Sequence, residues 1–185
     1  MSSTGADNPS WTVDVPTESV WDYPRPPRLE RCRHKIRMVF GGQTGAETRN
    51  AYRVLESSHP PTYYIPLSDV RSEFLLPSSR RTWCEWKGEA HYCNLRGGTR
   101  ESVDAAWGYP RPTKPFAAIR DYVAFYPARL DACYVGDERV KAQEGDFTAA
   151  GSPVTCAARS RAGPAPPAGN GLPHVADRAS CCDTS

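Results

Sequence analysis

A mainly β, antiparallel domain with one short helix, followed by a disordered tail, is the architecture this sequence predicts. Three observations carry that expectation. Glycine-containing two-residue connections, Gly41-Gly42, Lys87-Gly88, Gly97-Gly98 and Gly136-Asp137, separate short runs of alternating apolar residues. Tight hairpin turns need positive φ, which glycine supplies, and several hairpins in a small chain imply one antiparallel sheet or two packed sheets. A persuasive helical period is confined to Phe116, Ile119 and Val123, with Pro115 at its start and Pro127 closing it. Finally, all nineteen aromatic residues lie in 1–147, and the last of them is Phe147.

Taken in order, Ile36–Phe40 and Thr44–Thr48 read as strands about Gly41-Gly42. Ala51–Glu56 and Thr62–Ile65 are extended runs, and Pro60-Pro61 prevents a helix between them. A short helical turn is expected after Pro66, capped by Ser68 or Asp69. Thr82–Trp86 and Glu89–Leu95 flank Lys87-Gly88, and Thr99–Trp107 follows Gly97-Gly98. Ala132–Val135 and Glu138–Val140 complete the body. Trp21-Asp22-Tyr23-Pro24-Arg25-Pro26 and Trp107-Gly108-Tyr109-Pro110-Arg111-Pro112 agree at five of six positions, which suggests two equivalent corners. The stretch 148–185 holds Val154, Leu172 and Val175 as its large aliphatics, too little apolar surface to offset the entropy of ordering. The expected organisation is a flexible segment over 1–19, one domain over 20–147, and a disordered tail over 148–185.

Composition narrows function by exclusion. Net charge is +2 with the two signs interleaved, which argues against a nucleic-acid partner. No run of about eighteen apolar residues occurs, so a membrane partner is not expected either. The first nine residues lack the layout of a signal peptide, which makes a cytoplasmic location the expectation. Of seven cysteines, Cys156, Cys181 and Cys182 lie in the tail. Cys32, Cys84, Cys93 and Cys133 show none of the paired spacings of a structural zinc site and read as reduced thiols. No metal or cofactor is expected, and neither oligomeric state nor the presence of catalysis can be read.

Chemistry-bearing residues occur in several of these turns and strands. His59, held before two prolines, can serve as a general acid or base with Glu56, Tyr63 and Tyr64 close in sequence, or can simply fix its loop. Lys87, in a hairpin turn, can hold an anionic ligand group or lie solvated. Cys84 shares a strand face with Trp86 and could act as a nucleophile with His59 as base, although a buried thiol is the simpler reading. Trp107, Tyr109, Tyr23 and Trp21 could floor a pocket or act only in packing. The expected ligand set is Tyr64, Lys87, Trp107 and Tyr109, with His59 and Cys84 as catalytic candidates. A non-catalytic module that binds a protein through its aromatic-proline corners is the alternative.

Seven stretches resemble one family: VWDYPRPPRLE (20–30), IRMVFGG (36–42), RVLESSHPPTYYIPLSDV (53–70), TWCEWKGEAHY (82–92), DAAWGYPRP (104–112), YVAFYPARLDACYVGDERV (122–140) and EGDF (144–147). The body is similar to the domain of unknown function 427 family, also labelled nucleotidyltransferase-like family 9. The resemblance implies a compact β-tent fold and no established reaction. The second label finds no support in the residues. D-x-D, G-x-x-x-x-G-K-[ST] and G-x-G-x-x-G patterns are missing, and Glu56, Asp69, Glu89 and Asp104 are scattered, where phosphate transfer needs clustered carboxylates for Mg²⁺.

The resemblance also accounts for the tail. Family members continue after this Phe as YGGWIT and finish as PFKGGPGTAGW. The codons TAC GGC GGC TGG ATC ACC, read one base late, give Thr-Ala-Ala-Gly-Ser-Pro, which is Thr148–Pro153. The same offset applied to PFKGGPGTAGW and a stop gives Arg159–Asn170. The expectation is a frameshift after Phe147, which would remove the family's closing segments, open a groove and lower stability.

Overall fold

The computed structural model describes residues 18–142 and the backbone of 151–152. Its strands are β1 (Arg28–Arg31), β2 (Ile36–Phe40), β3 (Gln43–Thr48), β4 (Tyr52–Leu55), β5 (Thr62–Pro66), β6 (Leu75–Cys84), β7 (Gly88–Gly97), β8 (Arg100–Gly108), β9 (Tyr122–Phe125), β10 (Ala132–Val135), β11 (Glu138–Arg139), β12 (Lys141–Ala142) and β13 (Gly151–Ser152). Seven of them form one sheet in the order β1-β4-β5-β9-β8-β7-β6, and four form a second in the order β11-β10-β2-β3. β12 and β13 make a separate two-residue ladder. Every pairing is antiparallel, so the chain is mainly β as its turn chemistry predicts. The rest of the tail, including the proposed frameshift region, lies outside the described residues.

The large sheet is covered on both faces, and strand alternation sorts its side chains between them. Ile65, Val123, Phe125, Leu95 and Ala106 face the small sheet and pack with Ile36, Met38, Phe40, Ala46 and Val135. Tyr64, Trp107, Ala124, Ala90 and Tyr92 project from the opposite face and form a second core with Val54, Cys84, Tyr109, Phe116 and Ile119. Gly41, at φ +60°, makes the β2–β3 turn, and a Cβ there would collide with the Gly97 carbonyl at the end of β7. The two sheets thus touch through backbone at that corner.

The expected helix is shorter than its spacing suggests. Lys114–Ile119 is a 3-10 helix with Pro115 in its first turn, burying Phe116 and Ile119. Their three-residue separation is the 3-10 period. Val123 instead belongs to β9, where it pairs with Ile65 and Gly108. The turn after Pro66 forms as a 3-10 segment, Leu67–Asp69, without a side-chain cap, since Asp69 accepts a hydrogen bond from Thr48 Oγ1. The strand expected over Thr82–Trp86 ends at Cys84, and Glu85–Lys87 form the turn. The two W-x-Y-P-R-P copies are not equivalent corners. Tyr23 and Tyr109 are both buried, but Trp21 is 65% exposed in a 3-10 turn and Trp107 is buried within β8.

Candidate functional site

The site assembles where β4 and β6 end and the chain turns. β4 stops at Leu55, and the turn Glu56–His59 follows, with the His59 N–H donating to the Glu56 carbonyl at 3.1 Å. β6 stops at Cys84, and the Glu85–Lys87 turn leads into β7 through Gly88 at φ +96°. A third segment pins this second turn. The Thr113 N–H donates to the Lys87 carbonyl at 3.1 Å, and Thr113 Oγ1 donates to the Trp86 carbonyl. Gly88 lies against the same segment, where a Cβ would stand 3.3 Å from the Arg111 carbonyl.

Lys87 is the unusual member. Its side chain is only 9% exposed, and Nζ lies 3.6 Å from Glu56 Oε2. The ammonium also stands 5.7 Å from the centre of the Phe116 ring. Burial alone would lower its pKa, but Tyr64, Cys84 and Glu56 outweigh that and raise it, so Lys87 is cationic at neutral pH. Glu56 is the carboxylate that faces it. Tyr64 is almost fully enclosed, and burial pushes its hydroxyl up to about 12 despite the opposing pull of Lys87. The Trp107 indole lies edge-on to Tyr64 and hydrogen-bonds its hydroxyl, and Tyr109 packs at 6.4 Å from the same ring.

The structure therefore brings Lys87, Tyr64, Cys84, Trp107 and Tyr109 together and adds Glu56. It does not bring His59 and Cys84 into a nucleophile–base pair. His59 is exposed, and its Nδ1 contacts the Ser57 carbonyl at 3.1 Å and Ser58 Oγ at 3.3 Å, within its own loop. Cys84 is a buried thiol hydrogen-bonded with Lys87. His59 instead lies exposed on the turn that Glu56 begins. Trp21 is no part of this floor, and Tyr23 packs in a separate small core with Val20 and Leu55. Sequence spacing could not find the Lys87–Glu56 contact, because thirty-one positions separate the two residues. A cavity of about 40 Å³ lies elsewhere in the body, lined by Ile36, Tyr63, Ile65, Phe125 and Val140 among others. It can hold little more than a water molecule or two, and none of the expected site residues lines it.

A family model described as a domain of unknown function (DUF427) matches residues 28–136. The chain belongs to this family. The match runs from β1 to the β10–β11 turn and so includes both turns that build the site. Curated proteins gave no match. Among the described residues of this family domain, no helix is long and apolar enough to cross a membrane.

Proposed function

We propose that this family domain is a cytosolic small-molecule-binding protein whose ligand engages Lys87 from the side of the turn that carries Glu56 and His59. One observation carries the reading. An ammonium this enclosed, with its nearest carboxylate at 3.6 Å, is costly to desolvate and lies beyond ordinary hydrogen-bond distance of its counter-charge. Cohesion alone would favour an apolar residue there, whereas a ligand anion would give the buried charge a use. Tyr64, Trp107 and Tyr109 form the floor that holds Lys87 in place. Glu56, at 20% side-chain exposure against 9% for Lys87, is the more accessible of the charged pair.

A thermal-shift screen of metabolites tests this. Stabilisation is expected for wild type and is lost in Lys87→Met, with a partial loss in His59→Ala. Equal shifts in wild type and Lys87→Met overturn the reading.

One observation favours a second reading. Trp21 is 65% exposed beside the first W-x-Y-P-R-P corner, as a protein-recognition anchor would be. A protein partner captured by wild type but not by Trp21→Ala, with no metabolite response, would select it.

A further inference from the structure

The indole nitrogen of Trp86 is fully enclosed and has no hydrogen-bond partner among the described residues. Such a donor is rare in a folded protein and calls for an acceptor, either an ordered water or a ligand atom. Trp86 packs against the same core as Tyr64, Cys84 and Phe116, which with Glu56 lie about the Lys87 ammonium. We propose that Trp86 Nε1 and Lys87 Nζ together receive one oxyanion group, a carboxylate or a phosphate carried by a small molecule. This rests on the binding function proposed above and adds its chemical class and a second ligand residue.

The donor and acceptor inventory points the same way. Lys87 offers three N–H donors, one of them engaged with Cys84, and Trp86 offers one that is unpaired, while Glu56 supplies the facing carboxylate. A site with donors left over and one carboxylate selects a ligand rich in acceptor oxygens. A cationic ligand would leave the indole unpaired and add repulsion at Lys87. Thr113 binds the carbonyls of both Trp86 and Lys87, so one residue fixes the backbone beneath both donors. Donors fixed in advance spend less entropy on capture.

Proton–nitrogen spectra of the full-length chain test the proposal, with the Trp86 indole resonance assigned by its loss in Trp86→Phe. Sodium phosphate and sodium succinate are titrated separately at constant ionic strength against sodium chloride. A saturable shift of the Trp86 resonance with phosphate or with succinate is expected, at least tenfold weaker in Lys87→Met. The arm that responds identifies the oxyanion. An equal response to chloride, or no response in either arm, overturns the proposal. If a metabolite from the thermal screen binds through Lys87 while the Trp86 resonance stays in place, the oxyanion pairing is wrong and the binding function stands. If the screen also shows no stabilisation, both fail. Trp86→Phe keeps an aromatic side chain and removes the N–H, so a role in packing alone would leave ligand affinity unchanged, whereas the proposed role costs at least tenfold.

Discussion

Lys87 Nζ stands 3.6 Å from Glu56 Oε2, and the lysine is the more enclosed partner, at 9% against 20% side-chain exposure. The pair is therefore unequal, and its two halves should fail differently. Glu56→Gln leaves a buried ammonium without a counter-charge, whereas Lys87→Met leaves a carboxylate that can turn towards water. Glu56→Gln is expected to cost about 2–3 kcal/mol and Lys87→Met about half as much. The double variant should recover part of the loss, since no lone charge remains. Urea denaturation of all four proteins checks this, and equal costs for the two single variants would contradict it.

Alkaline pH should loosen the site before the rest of the domain. The Tyr64 hydroxyl is held at about 12 when folded, against an ordinary value of 10.0, so the unfolded chain releases that proton first. The raised pKa of Lys87 has the same sign, because the folded state keeps its proton while the unfolded state loses it. Both effects leave stability flat through neutral pH and reduce it from about pH 10 upward. The Tyr64 part is of order 2–3 kcal/mol by the linkage relation. Melting temperatures from pH 8 to 12 measure it, and Tyr64→Phe should show a shallower decline.

Gly41→Ala is expected to destabilise by roughly 1–3 kcal/mol, because it adds a Cβ at positive φ against the Gly97 carbonyl. Gly42→Ala also meets positive φ but has open space around its Cβ position, so it should cost less. Chemical denaturation of the two variants separates backbone strain from the clash between sheets.

Reading the gene across the Phe147 codon tests the origin of the tail. A single-base change should restore Tyr-Gly-Gly-Trp after Phe147, in place of Thr148-Ala149-Ala150-Gly151. The restored chain is expected to melt several degrees higher than this one. If no one-base change restores that sequence, the frameshift is excluded.

The hairpins were legible because glycine at a two-residue turn reports backbone geometry directly, and Gly41, Gly88, Gly98 and Gly136 all have positive φ. β1 and β9 were not legible. Arg28-Leu29-Glu30-Arg31 is mostly polar and pairs only through β4, and Val123 continued an apparent helical period until its partners Ile65 and Gly108 decided its state. For the site, Lys87 and Tyr64 stood out by residue type and turn position. Glu56 was noticed as a neighbour of His59, whereas its contact with Lys87 depends on how two distant turns meet. Trp86 was visible only as sharing a face with Cys84. Its unpaired nitrogen is a property of the packed interior, which no spacing rule encodes.

The two-sided use of the large sheet has a consequence for how this protein tolerates change. In β5, Tyr64 belongs to one core and Ile65 to the other, and in β8 Trp107 and Ala106 divide in the same way. Inserting or deleting a single residue in either strand would exchange the two sets, burying site residues between the sheets and exposing sheet-packing residues at the site. Point substitutions can retune the ligand face while the opposite core stays intact, but changes of length cannot. Diversity among functional relatives of this domain should therefore appear as side-chain replacement within strands of constant length, with insertions confined to the turns.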